Sequence, residues 1–136
     1  MNYLIGVLLA LASVVMASVV GFDRRTFYAT VLIVVATYFV LFAVMSGVMR
    51  AVVLESAVMG LFIVLAAVGY RRSIWIVVAG LAAHGLSDFV HGAVIANPGT
   101  PAWWPGFCAS YDIAAAIALA WLVRPAPQLQ PQGALT

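Results

Sequence analysis

The distribution of charged residues constrains this chain more than any other feature of its sequence. Residues 1–22 carry no charged side chain, and four further apolar runs follow, each bounded by polar or turn-forming residues. Only 7% of the residues are charged and 66% are hydrophobic, whereas a soluble domain carries about 25% charged residues. Such a chain cannot cover a water-facing surface, and we therefore predict an integral membrane protein.

The apolar runs have the length and uniformity of membrane-spanning helices. Only helices or closed barrels satisfy backbone hydrogen bonds in lipid, and these runs are too long and too uniform for barrel strands. We predict an all-α, polytopic transmembrane bundle of about five spans. The predicted helices cover residues 2–20, 26–48, 50–70, 73–96 and 106–123. The connection around 46–50 has the weakest signal, and one continuous bent helix through it is the alternative.

The arginines predict the orientation of this bundle. With five spans, five arginines fall on one side of the membrane and Arg50 falls on the other. The five are Arg24, Arg25, Arg71, Arg72 and Arg124. The positive-inside rule then places the N-terminus outside and the C-terminus in the cytoplasm, as expected for a multi-pass protein of the cell (inner) membrane. Because Arg24 and Arg25 follow the first apolar run, we interpret that run as a retained helix and not as a signal peptide.

The chain is predicted to form one transmembrane domain, residues 1–123, followed by a tail, residues 124–136. The tail is rich in proline and glutamine and is predicted to be a disordered cytoplasmic segment. The loop NPGTPAWWPG contains prolines and glycines that interrupt a helix. Its residues Trp103 and Trp104 suit the headgroup layer. We interpret this loop as an interfacial anchor, with a lid over an outward-facing pocket as the alternative.

Five ionisable side chains lie within the predicted spans instead of at their ends. They are Glu55, His84, Asp88, His91 and Asp112. At a rise of about 1.5 Å per residue, all of them except His84 share one layer, roughly 7–12 Å below the outer boundary. His84, Asp88 and His91 are spaced i, i+4 and i+7, so they face one side of their helix. Because polar side chains in membranes face the bundle interior, we predict a common pocket.

The acids in this pocket need compensating positive charge. An ionised carboxylate at mid-helix costs about 2.5–3.5 kcal/mol, and no arginine is predicted at the same depth. Either some acids are protonated and hydrogen-bonded to histidine, or a divalent metal ion neutralises them. The predicted metal ligands are Glu55, Asp88, His91 and Asp112. His84 and Cys108 are additional candidates; His84 lies about 10.5 Å along the axis from His91, so it binds a second ion or holds a ligand in place.

The ligand types favour particular metals. Histidine and carboxylate together suit zinc, iron or manganese, and Cys108 favours zinc. Cys108 and Asp112 are spaced i, i+4, which puts both on one face of the last helix. As the single cysteine of the chain, Cys108 cannot form an internal disulfide.

The segment HGLSDFVHG, followed by NPGTPAWWPGFCASYD, resembles an uncharacterised family of small bacterial integral membrane proteins. That family carries H-x3-D-x2-H on one helix and C-x3-D on the next, with a proline-rich loop between them and a glutamate on an earlier helix. The resemblance runs from His84 to Asp112, with Glu55 matched more loosely, and it implies no activity. Where relatives have a second histidine after His91, this chain has Gly92. A looser likeness connects the motif with membrane zinc hydrolases of the ceramidase and adiponectin-receptor type, which have seven spans and another spacing.

Three classes of function are consistent with these observations. The first is a metal-dependent hydrolase or related enzyme acting on a lipid or other apolar molecule, with His84 and Asp88 as candidate catalytic residues. The second is a proton or metal-ion transporter or channel that uses the same acid–histidine cluster. The third is a non-catalytic membrane subunit, in which the cluster joins helices; the small size of the bundle is consistent with a homo- or hetero-oligomer. The arginines occur singly or in pairs without a basic stripe, which argues against nucleic acid as a partner.

Overall fold

A computed structural model describes residues 1–125 of the chain. These residues form six α-helices and no strand. The helices are α1 (Asn2–Val20), α2 (Arg24–Ser46), α3 (Met49–Arg71), α4 (Ile74–Asp88), α5 (His91–Val94) and α6 (Trp104–Leu122). The prediction of an all-α bundle is confirmed, and α2 and α3 are separate helices. Residues 126–136, which make up most of the tail predicted to be disordered, lie outside the described residues.

Within residues 1–125, four helices are long and apolar enough to cross a membrane, namely α1, α2, α3 and α6. The fourth predicted span is different. Helix α4 has 15 residues, which at about 1.5 Å per residue covers roughly 22 Å and falls short of a hydrocarbon core about 30 Å thick. The short helix α5 continues from it toward the α5–α6 loop, so this part of the bundle is a broken helix.

The break after Asp88 corrects the prediction of one helix over residues 73–96. The Ser87 hydroxyl donates a hydrogen bond to the His84 carbonyl oxygen at 2.7 Å, and such bonds bend helices. The backbone N–H groups of Phe89 and Val90 then donate hydrogen bonds to the carbonyl oxygens of Leu86 and Ser87. These bonds reach three residues back instead of four, which tightens the last turn. The regular helical rotation is therefore interrupted before His91. As a result, His91 does not lie on the same face as Asp88, as it would in one continuous helix.

Caps account for several helix ends. The Asp23 carboxylate accepts a hydrogen bond from the Thr26 backbone N–H at 2.8 Å and thereby caps α2. This bond, together with the Thr26 hydroxyl, holds the pKa of Asp23 below its ordinary value. Helices α1 and α2 end at Gly21 and Gly47, whose φ angles of 77° and 70° lie in the left-handed region that glycine tolerates.

Five of the six arginines lie at one end of the bundle, here called the arginine end. Arg24 donates a hydrogen bond to the Leu122 carbonyl at 2.9 Å, and Arg25 donates to the Tyr70 carbonyl at 3.2 Å. These bonds join the start of α2 to the ends of α6 and α3. The opposite end carries the α5–α6 loop and is called the loop end. Which end faces the cytoplasm stays a prediction of the positive-inside rule.

Helices α4 and α6 lie at the centre of the packing. Helix α1 packs along α6, α2 packs along α3, and α4 contacts α3, α6 and α2. A Cβ atom at Gly6 would overlap the Ser110 hydroxyl and the Phe107 carbonyl, so glycine permits the close approach of α1 to α6. Although consecutive, α1 and α2 pack on different neighbours, and a large cavity separates them in front of α6.

Candidate metal centre

The close approach of α4 to α6 brings the buried polar residues together. A Cβ atom at Gly85 would lie 2.9 Å from a carbonyl oxygen of α6 and 3.1 Å from the Asp112 Cβ. The first distance is shorter than Cβ atoms adopt and the second is unusually tight, so a larger side chain at this position would push α4 away from α6. The neighbours of Gly85 on the same helix, His84 and Asp88, consequently face Cys108 and Asp112 across the contact.

Four residues form what we call the buried cluster. They are His84, Asp88, Cys108 and Asp112, each at most 3% exposed. One nitrogen, sulfur or oxygen atom from each lies within 4.8 Å of all the others. His84 Nδ1 donates a hydrogen bond to Asp112 Oδ2 at 2.7 Å and lies 3.7 Å from Asp88 Oδ2. Ligands placed tetrahedrally about 2.0–2.3 Å from zinc are about 3.3–3.8 Å apart, so adjustments of about 1 Å bring these atoms to coordinating distances.

Two carboxylate oxygens of the buried cluster lack a hydrogen-bond donor within residues 1–125. Asp88 Oδ2 and Asp112 Oδ1 accept no hydrogen bond from any group in the described residues. No arginine lies within 4.0 Å of either carboxylate in this part of the chain, and His84 is the basic residue that both approach. Because two acids face one histidine, even a protonated His84 leaves one negative charge unpaired. A buried charge is tolerated when it is paired or coordinates a metal, so the cluster needs a cation or added protons.

A second polar group lies between the buried cluster and the loop end. Glu55 Oε1 accepts hydrogen bonds from His91 Nε2 at 2.8 Å and from Asn97 Nδ2 at 2.9 Å. The Glu55 side chain is 1% exposed and that of His91 is 11% exposed. The Phe39 ring stacks on His91 with a centroid distance of 4.0 Å and lies 6.1 Å from the His84 ring. We call Glu55, His91 and Asn97 the loop-end group; the Phe39 ring lies near one histidine of this group and one of the buried cluster.

The structure divides the predicted site residues between these two groups. The two predicted aspartate ligands lie in the buried cluster, whereas Glu55 and His91 lie in the loop-end group. The reason is the break of α4 after Asp88, which redirects His91 toward α3. His84 was predicted to lie one level deeper than the other ligands, but it contacts both aspartates. Cys108, an additional candidate, is also part of the cluster. That any of these residues binds a metal stays a prediction.

Sequence reasoning missed Asn97 and Phe39. Asn97 belongs to the loop interpreted as an anchor or a lid, and its side chain folds back to Glu55 and to the Phe39 carbonyl oxygen at 3.0 Å. The Asn97–Pro98 pair is a turn signal, but a turn signal does not say which helix the side chain will contact. Phe39 is indistinguishable in the sequence from the other apolar residues of α2.

Two cavities approach these groups. The first, called the groove, has a volume of about 930 Å³ and lies between α1, α2 and α6. Ile5, Leu9 and Val34 line it and are about half exposed, so it opens sideways between the helices. Cys108 lines the groove and belongs to the buried cluster. The second, called the loop cavity, has a volume of about 460 Å³ and is lined by His91, Asn97 and the α5–α6 loop.

Comparison with known proteins does not supply a function. No protein-family model, curated protein or solved structure matches this chain. The chain has the apolar helices expected from the resemblance noted above, while the motifs and bacterial origin of that family stay predictions. The function of this helical membrane bundle therefore has to be argued from the chemistry of its buried cluster.

Proposed function

We propose that the chain is an integral membrane metalloenzyme of the cell membrane, with one divalent cation in the buried cluster and a lipid or other apolar substrate. The observation that carries this proposal is the convergence of four buried ligand atoms within 4.8 Å of one another. Each of the two aspartates among them has one oxygen that accepts no hydrogen bond within residues 1–125. A cation would supply the missing positive charge and the missing partners at the same time.

The ligand set favours zinc. Magnesium and calcium prefer oxygen ligands alone, whereas this cluster offers nitrogen and sulfur as well. Zinc binds cysteine, histidine and carboxylate together, with iron and manganese as the alternatives. Binding at His84 Nδ1 would displace the proton that His84 shares with Asp112, so uptake of the cation should release a proton.

The groove supports an apolar substrate. It lies within the apolar helices, opens sideways toward the surrounding bilayer and reaches the cluster at Cys108. A divalent cation in such a site polarises a carbonyl or phosphoryl oxygen and activates water for hydrolysis. Catalytic zinc sites leave one coordination position open for water or substrate. Because Cys108 lines the groove, that position would lie on the groove side of the cluster. Three protein ligands, His84, Cys108 and Asp112, would leave that position open beside Asp88. Asp88 is then the candidate general base, acting through Oδ2, which accepts no hydrogen bond within residues 1–125.

Elemental analysis of detergent-purified protein tests the metal. Wild-type protein reconstituted with zinc and desalted should carry one equivalent per chain, and His84→Ala should carry almost none. Ser110→Ala is the matched control, because Ser110 lies on α6 beside the cluster but bonds to the Phe107 carbonyl instead. Wild-type protein that retains no stoichiometric metal would refute the proposal.

A panel of lipid esters and amides in mixed micelles then tests catalysis. Turnover should require the metal and should disappear in Asp88→Asn. Metal binding without turnover of any lipid in the panel would contradict the enzymatic part of the proposal and leave the metalloprotein part standing.

Cation transport is the second candidate. It is favoured by the two polar groups that follow each other from the loop cavity into the bundle, first the loop-end group and then the buried cluster. One observation argues against transport. The part of α4 between the buried cluster and the arginine end, residues 74–83, includes no titratable side chain that could pass the ion on. Flux of zinc or protons in proteoliposomes, abolished by His84→Ala, would reverse the ranking.

A further inference from the structure

A cation in the buried cluster needs a route from water. All four residues of the cluster are at most 3% exposed. The groove is lined mainly by apolar side chains, and Asp23 is the carboxylate among its lining residues, so a divalent ion would lose its hydration there for few ligands in exchange. The arginine end carries five of the six arginines, which repel cations, and residues 74–83 offer no ligand between that end and His84. The loop end is the remaining side.

The loop-end group has the properties of a site on such a route. His91 and Asn97 line the loop cavity, while Glu55 lies directly behind them and is almost fully buried. The group offers imidazole, carboxylate and amide oxygen, all of which bind divalent cations. The Asn97 Oδ1 atom is buried and accepts no hydrogen bond within the described residues, so one ligand atom of this group is free.

The loop-end group also contacts Phe39, a residue of α2 that lies near both polar groups. Phe39 stacks on His91, and its backbone carbonyl accepts a hydrogen bond from Asn97 Nδ2. On its other side the same ring lies near His84 of the buried cluster. A rotation of the Phe39 ring is therefore the movement that would open a path for a cation from His91 to His84.

From these contacts we infer that Glu55, His91 and Asn97 form a second, transient site for a divalent cation, through which the ion passes from the loop cavity to the buried cluster. This inference rests on the proposed function, because it assumes a resident cation in the cluster. It assigns the two groups different roles: the buried cluster sets how tightly the ion is held, and the loop-end group sets how fast it arrives.

The rate of Co²⁺ uptake by metal-free, detergent-purified protein tests this division. Binding is followed by the absorbance that Co²⁺ gains when Cys108 coordinates it. Glu55→Gln and Asn97→Ala should slow uptake about tenfold or more, since charge and preplaced ligands on the approach path change association rates on this scale. The final absorbance and the final metal content should equal those of the wild type.

Two controls localise the effect. Thr100→Val changes a residue that lines the loop cavity but leaves the loop-end group intact, and it should load at the wild-type rate. Val34→Trp obstructs the groove and should also load normally; slow loading of this variant alone would show that the ion enters through the groove and would overturn the inference.

The remaining outcomes separate this inference from the function on which it rests. Uptake at the wild-type rate in both Glu55→Gln and Asn97→Ala contradicts the transient site and leaves the metalloprotein intact. A reduced final metal content in Glu55→Gln, with correct folding by circular dichroism, also contradicts it, because Glu55 would then be a ligand of the resident ion. Wild-type protein that binds no Co²⁺ refutes the proposed function itself.

Discussion

Replacing Asp112 with asparagine distinguishes a metal ligand from an aspartate that merely joins helices. Asp112 is fully buried, and its Oδ2 accepts a hydrogen bond from His84 Nδ1 at 2.7 Å. Its Oδ1 has no partner within residues 1–125. Asparagine preserves the volume and a carbonyl acceptor but removes the negative charge, so Asp112→Asn changes the electrostatics of the cluster with little change in packing.

Two effects of this substitution oppose each other in the metal-free protein. A hydrogen bond to a charged acceptor contributes about 1.5–3 kcal/mol and a neutral one about 0.5–1.5 kcal/mol, so the bond from His84 weakens by about 1–1.5 kcal/mol. Removal of a charged, unpartnered oxygen recovers about 1–3 kcal/mol. The free energy of unfolding without metal should therefore stay within about 2 kcal/mol of the wild-type value.

With metal the two proteins should diverge. At a free zinc concentration of about a thousand times Kd, the wild type gains about 4 kcal/mol of stability. Asp112→Asn lacks a charged ligand of the zinc and should gain far less at the same concentration. The difference in unfolding free energy between the wild type and Asp112→Asn should therefore grow in favour of the wild type when zinc is added, which a purely structural role for Asp112 does not predict.

Unfolding in mixed micelles with increasing dodecyl sulfate, followed by tryptophan fluorescence, measures both quantities. Each protein is titrated once with zinc and once with a chelator, and Ser110→Ala is the control on the same helix. The reasoning is refuted if Asp112→Asn without metal loses about 3–5 kcal/mol, as expected when one partner of a buried ion pair is removed, and zinc stabilises neither protein.

Three further substitutions test other parts of the structure. Gly85→Ala should force α4 away from α6, since its Cβ would lie 2.9 Å from a carbonyl oxygen, and the zinc content of the purified variant should fall well below one equivalent. Val34→Trp should lower turnover of lipid substrates by partly filling the groove, while elemental analysis finds the zinc content unchanged. Because the Thr26 backbone N–H lowers the pKa of Asp23 below 3.8, the stability from this cap is present above that pH and is lost as the pH falls through the lowered value. Unfolding curves measured between pH 6 and pH 2 should show this loss of stability in the wild type, and the same slope in Asp23→Ala would contradict the prediction.

The candidate site was predictable where it depends on one regular helix. The i, i+4 spacing correctly put His84 beside Asp88, and Cys108 beside Asp112, because neither pair is interrupted by a break. The same argument failed for His91, because it assumed that α4 continues through residues 89 and 90. The hydrogen bond from Ser87 to the His84 carbonyl contributes to that break, and nothing in the apolar pattern of the segment indicates it.

The sequence by itself determined the class of fold and the identity of the polar residues inside it. Long runs without charge must become helices in lipid, and the few ionisable residues within them must face other helices. Only the tertiary structure decided which of these residues meet. Spacing specifies depth and angle on a single helix, but the contact at Gly85 and the return of Asn97 to Glu55 depend on how helices and loops pack. That packing is why the five ionisable residues form two polar groups instead of one.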